Sequence, residues 1–114
     1  MIAVRPARQE DIIQILKERA YFTLRRAFVA EREGKILGVW GLVMYQGRRY
    51  VFSEIDTEGF KYPKTILKIA RQYLRSLPQG VYYAVVDKRY GTATTFLKCL
   101  GFERELDLYR LEIK

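Results

Sequence analysis

Few side chains in this 114-residue chain have types suited to covalent or acid–base chemistry. Histidine is absent, which excludes His-based triads, histidine general bases and ordinary His-containing zinc sites. The single cysteine, Cys99, allows no disulfide within the chain and fits a reducing, intracellular setting. No histidine is there to activate it, and it lies between apolar residues of a helical segment, the pattern of a buried, inert thiol. No P-loop, dinucleotide fingerprint or carboxylate metal cluster occurs. What stands out is charge: 21 Lys and Arg against 13 Asp and Glu, a net +8, which favours an anionic partner such as nucleic acid, a phosphorylated cofactor or an acidic protein surface. The basic pairs Arg25-Arg26, Arg48-Arg49 and Lys88-Arg89 sit near predicted turns. There they can touch phosphates or simply be solvated. Aromatic residues among basic ones can stack on single-stranded nucleic acid. Phe28, Trp40 and Phe52, however, fall in strand patterns and read as core.

The elements that must position any site follow from periodicity. At 49% hydrophobic and 30% charged, the chain can build one small core, and 114 residues suit one domain. No run approaches the roughly 20 apolar residues of a membrane span, and the N-terminus lacks the apolar stretch of a signal peptide. Met1 to Pro6 reads as a short strand. Gln9 to Ala20 reads as a helix with Ile12, Ile13, Leu16 and Ala20 on one face and Glu10 and Asp11 in its first turn. Strands are predicted at Arg26–Glu33, Ile36–Tyr45 and Arg49–Asp56, with turns at Gly34 and Gly47. In the third of these, Val51, Ser53 and Ile55 alternate with Tyr50, Phe52 and Glu54. The loop Thr57 to Tyr62 leads to Pro63, well placed to open a helix whose inner face carries Ile66, Ala70, Tyr73, Leu74 and Leu77. Val81–Val86 reads as a buried strand. Thr92–Leu100 reads as a helix closed by Gly101, and Glu103–Lys114 as a last strand. The order β-α-β-β-β-α-β-α-β predicts an α/β mixed sheet, mostly antiparallel, with one parallel central pair joined through the middle helix.

That order resembles the GNAT (Gcn5-related N-acetyltransferase) superfamily over nearly the whole chain. Val4-Arg5-Pro6-Ala7 followed by Glu10-Asp11-Ile12 looks like the family's opening strand and first helix. Ala93-Thr94-Thr95-Phe96-Leu97-Lys98-Cys99-Leu100-Gly101-Phe102 looks like its last helix, with its Leu-Gly-Phe turn. The resemblance implies a single GNAT-like domain over residues 1–114, acetyl-coenzyme A as co-substrate, and direct transfer of an acetyl group to an amine or protein acceptor. The cofactor would lie in a V-shaped opening between the strands Arg49–Asp56 and Val81–Val86. Ile55, Asp56, Thr57, Val86 and Phe96 would line it, and Lys61, Lys64 and Thr65 would meet the pyrophosphate at the helix N-terminus. Backbone N–H groups of Ile55 to Thr57 would polarise the thioester carbonyl. Glu54 or Asp56 would take the proton of the amine, and Tyr90, about two turns before the position of the family's tyrosine, would either reach the leaving thiolate or serve as a packing or loop aromatic.

The chain also departs from the family pattern. The glycines of the phosphate loop give way to Tyr62 and Lys64 in Gly59-Phe60-Lys61-Tyr62-Pro63-Lys64-Thr65, and Pro63 has no N–H to offer. The family's thiolate-protonating tyrosine corresponds to Leu97. Only Tyr21 to Arg25 separate the first helix from the second strand, where the family has a helix that walls the acceptor site. In these respects the chain is similar to short bacteriophage acetyltransferase-like proteins. Two expectations follow. One is an acetyl-CoA-dependent N-acetyltransferase. The other is a catalytically silent GNAT-fold binding protein, a phage virion component or modulator of a host protein. Either would be cytoplasmic, in host or virion if phage-encoded, with no membrane association; nucleic acid is a less favoured partner.

Overall fold

The computed structural model describes residues 2–16, 24–85, 92–106 and 108–114. Seven strands form one sheet in the order β1-β2-β3-β4-β5-β7-β6. They are β1 (Ala3–Pro6), β2 (Arg25–Arg32), β3 (Lys35–Tyr45), β4 (Arg48–Ile55), β5 (Gly80–Ala84), β6 (Glu103–Glu105) and β7 (Leu108–Ile113), with helices α1 (Gln9–Leu16), α2 (Pro63–Arg75) and α3 (Thr92–Cys99). The mixed sheet is as expected: β4 and β5 run parallel and the other neighbours antiparallel.

Two-residue hairpins build the first half of the sheet. Glu33-Gly34 and Gln46-Gly47 both have φ near +50° and then near +80°, the turn whose twist matches the strands it joins. The second helix follows from its sequence as expected. Pro63 occupies the first turn, and Ile66, Ala70, Tyr73, Leu74 and Leu77 are all buried against the sheet. The last helix closes as a Schellman motif: Gly101 has φ +97°, its N–H donates to the Lys98 carbonyl, and the Phe102 N–H reaches the Leu97 carbonyl at 3.0 Å. Phe102, just beyond, is buried.

The main core lies on the face covered by α2 and α3, around Trp40, Leu42, Tyr82, Ala84 and Tyr109. The opposite face holds a smaller cluster of Val29, Ile36 and Val39, with Ala7, Leu24 and Phe52 packed on it. The alternation in β4 is therefore realised, Val51 and Ile55 joining one core and Phe52 the other. Asp11 anchors the start of α1. Its carboxylate accepts two bonds from Arg5, at 2.7 and 3.0 Å, and one from the Arg8 backbone N–H at 2.7 Å. The last bond satisfies an N–H that a helix start leaves orphaned.

Several expectations need correction. The C-terminal segment is a hairpin, β6 and β7, rather than one strand. Leu106, at φ +55°, makes the turn without the glycine or asparagine that would have announced it. Gly59–Lys61 is a turn of 3-10 helix rather than open loop. Ile13 is exposed, whereas Ile12 beside it is buried. Cys99 is exposed, not buried, since α3 turns Phe96, Leu97 and Leu100 toward the core instead. The far end of the predicted first helix, including Ala20, lies outside the described residues.

The Arg5 guanidinium holds the Asp11 carboxyl below its ordinary value of 3.8. A depressed folded-state value gives stability that is present above the unfolded value and is lost as pH falls through the folded one. Asp11→Asn should therefore cost about 1.5–3 kcal/mol at pH 7, and less as pH drops below 3.8; urea unfolding of both forms across that range measures the difference.

Candidate active-site cleft

The two halves of the sheet meet at the parallel junction of β4 and β5. Among the described residues a single register pair joins these strands, Tyr50 with Tyr83. Side chains reinforce it. The rings of Tyr50 and Tyr83 lie 5.8 Å apart, and Arg48 stands 4.8 Å over the Tyr83 ring. Arg49 stacks 4.4 Å over Tyr82 and donates to its hydroxyl, which donates in turn to the Pro78 carbonyl at 2.7 Å. Arg49 also lies against Gly80, so closely that any Cβ there would collide with the guanidinium. Gly80 itself has φ +149°. The strands are thus pinned where β4 begins. The stretch Ser53–Ile55 runs on past the pair, along the wall of a cavity of about 610 Å³.

Alternation decides what β4 offers to that gap. The Asp56 N–H donates to the Leu37 carbonyl of β3 at 2.8 Å. Peptide groups point to opposite edges at successive residues, so those of Ser53 and Ile55 point to the β5 side. The cavity continues beneath them between α2 and α3. Trp40 forms part of its floor, and Phe60, Leu67, Phe96 and Leu97 part of its walls.

Of the expected site residues, the structure brings Glu54, Ile55 and Phe96 to the cavity wall. Glu54 and Phe96 are half-buried there. Asp56 and Thr57 do not line it. The Asp56 carboxylate accepts the Glu58 N–H at 3.2 Å, and the Thr57 carbonyl accepts the Phe60 N–H. Of the N–H groups expected to face the carbonyl, that of Asp56 is spent on Leu37, and alternation turns that of Ile55 to the β5 side. Lys61 turns to Glu58, at 2.8 Å, and each holds the other in its charged form, the carboxyl below its usual range and the ammonium above. Lys64 is exposed and Thr65 half-buried, both in the first turn of α2. Val86 and Tyr90 lie outside the described residues. Leu97, at the position of the family's tyrosine, lines the cavity with an aliphatic side chain.

The loop before α2 uses most of its own donors. The N–H groups of Gly59, Phe60, Lys61 and Tyr62 go to the carbonyls of Asp56, Thr57, Glu58 and Gly59. Pro63 has none, so the unspent donors of this helix start are the N–H groups of Lys64 and Thr65. Gly59 is fixed by close approach, since a Cβ would come within 2.5 Å of the Leu37 carbonyl oxygen and 2.8 Å of Ile55 Cγ2.

Sequence reasoning missed Ser53 and Thr95, whose side chains carry the hydroxyls that line the cavity, and the rim residues Phe60 and Val85. Ser53 was legible, because the alternation already placed it on the face of Val51 and Ile55. Phe60 carried no periodic signal.

No protein-family model matches the sequence, and no curated protein matches it by sequence. Solved structures do match by fold. The GNAT-family acetyltransferase of Streptococcus pneumoniae superposes with a TM-score of 0.69 at 13% identity, covering 100% of both chains. YhhK from E. coli, named an N-acetyl transferase and solved bound to coenzyme A, matches at 0.65 and 15% identity over 100% of this chain and 98% of its own. YncA from Salmonella typhimurium, solved with acetyl-CoA, matches at 0.65 and 12% identity over 99% and 94%. The chain has the GNAT fold.

The Tyr73 hydroxyl is buried without a hydrogen-bond partner, and burial pushes its pKa up. Tyr73→Phe removes a desolvated group that gains nothing in return. Its stability should match or exceed that of the parent by about 1 kcal/mol, as read from the denaturation midpoint.

Proposed function

We propose that this chain is an N-acetyltransferase that takes acetyl-coenzyme A and passes the acetyl group directly to an amine. The carrying observation is the gap beyond the Tyr50–Tyr83 pair, with the peptide groups of Ser53 and Ile55 turned toward it and a cavity alongside. The fold neighbours that hold coenzyme A or acetyl-CoA support the reading.

When bound, the thioester supplies an acyl carbon that the amine attacks, the new C–N bond forming as the C–S bond breaks and the sulfur leaves with its electron pair. Strand β4 would pair the extended arm through Ser53 and Ile55, and the Ile55 N–H would stabilise the carbonyl oxygen. Glu54, which borders the gap and whose side chain alternates to the Phe52 face of the sheet, would take the proton of an amine that approaches from that face. Leu97 has no proton to give, so the leaving sulfur would draw one from Tyr90 or from water. Lys64, with the free N–H groups beside it, would meet the pyrophosphate.

A second reading rests on the loop before α2. Four consecutive N–H groups spent within the loop, followed by a proline, leave little backbone to hold a pyrophosphate. That arrangement favours a catalytically silent GNAT-fold protein whose partner is not the cofactor, such as a virion component or a modulator of a host protein.

Titration with acetyl-coenzyme A separates the two. A transferase should gain about 2.7 kcal/mol of stability at ligand 100-fold above its dissociation constant. No heat and no shift in melting temperature at millimolar ligand would sink the catalytic reading. Given turnover, Glu54→Gln should lower kcat by about 10²–10⁴. Lys64→Glu should weaken cofactor binding.

A further inference from the structure

The outer sides of the two helices that cover the main core carry charge of one sign. Helix α2 has Lys64, Lys68, Arg71 and Arg75, all exposed. Successive members of this row are four, three and four residues apart. That spacing sets them on one face, a cation about every 4.5–6 Å over roughly 16 Å of helix. Neither α2 nor α3 contains an Asp or Glu, and α3 adds the exposed Lys98. The two helices thus hold five of the chain's net eight positive charges. Arg71 donates to the Cys99 carbonyl at 3.4 Å, which brings the α2 row beside Lys98. Strand β6 extends the patch. Arg104 pairs with Tyr109 and so shares the helix-covered face, while Glu103 and Glu105 alternate to the other.

Folding does not require this row. Like charges at i,i+4 repel, and Lys64 in the first turn opposes the helix dipole. Among the described residues none of the five helix cations has a carboxylate partner. The apolar side of α2 is already spent on the core, through Ile66, Ile69, Ala70, Tyr73 and Leu74. The helix therefore has no apolar face left to sink into a lipid surface. No ring stands in the row to stack on an unpaired base. What remains is a rigid row of one sign, suited to a partner whose negative charges repeat at fixed intervals. We propose that this face binds the phosphate backbone of double-stranded nucleic acid, without regard to base sequence. The contact centres on Lys68, Arg71, Arg75 and Lys98, beyond the first turn of α2 where the transferase reading puts the pyrophosphate. It stands whether or not the chain transfers an acetyl group.

The test is fluorescence anisotropy of the full chain with a random-sequence DNA duplex of about 20 base pairs, from about 50 to 200 mM salt. Four phosphate contacts give a slope of log affinity on log salt near −3.6, roughly a 150-fold loss across that range. Replacing Lys68, Arg71 and Arg75 together by Gln, a good helix former, should bring the slope to about −1. Should the triple variant melt below the parent, Arg75→Gln at the helix end serves instead, and should reduce the slope by about 0.9. An unchanged slope in the variant that folds would overturn the site. Displacement of the duplex by saturating coenzyme A would also sink it, by returning these cations to the cofactor. Tighter binding of the single strand than of the duplex would replace the proposed partner. So would equally tight binding of phosphatidylserine vesicles that is lost in the same variant. A chain that holds the duplex but not acetyl-CoA would support this surface and remove only the transferase.

Discussion

The architecture depends on how little joins β4 to β5. Among the described residues one register pair, two tyrosine rings in tilted contact and two arginines lying on aromatic rings hold together a sheet that is otherwise continuous. The neighbouring ladder is long: β3 and β4 stay in register from Gly38–Ile55 to Tyr45–Arg48. A parallel pair needs a crossover, and α2 supplies it, so the weakly joined strands are also the ones tied through the helix that roofs the cavity. The opening and its cover are products of one topological choice. The cation–π contacts matter because they sit at the start of β4, where they fix one end of the junction while the other parts.

Much of this was legible in the sequence. Turn glycines at 34 and 47, Pro63 at the helix start and Gly101 at the last helix end each impose a local geometry that the structure realises. The alternation of β4 named both faces of the strand. The C-terminal hairpin was not legible, because its turn rests on Leu106 in a left-handed conformation, held by pairing on both sides rather than by its own preference. Boundaries shifted by a residue or two, as at β5, which ends at Ala84 rather than Val86.

The site was harder to read, and for a physical reason. Lys61 looks like a phosphate ligand when the loop is written as a string. In the folded chain it is three residues from Glu58 in a tight turn, and the carboxylate claims it. Asp56 looks like a catalytic carboxylate, yet its oxygen serves the turn that follows the strand. Charges near a loop pair with what the loop brings close, and the sequence does not state which partner that will be. Glu54, on a regular strand, could be placed with more assurance: period-two geometry turns it to the face of Phe52 and gives the cavity face to Ser53 and Ile55.

The carbonyl of Leu37 has a further consequence. It lies where β3 carries an extra residue, between the pairs Ala30–Gly38 and Glu31–Ile36. It accepts the Asp56 N–H and stands where a Cβ on residue 59 would have to go, which keeps that position glycine. One oxygen on a neighbouring strand therefore sets where β4 stops and where the chain leaves toward the roof helix. The depth of the cavity entrance is gauged by a bulge outside it, so evolution could retune the mouth by editing β3 without altering any residue that a ligand would meet.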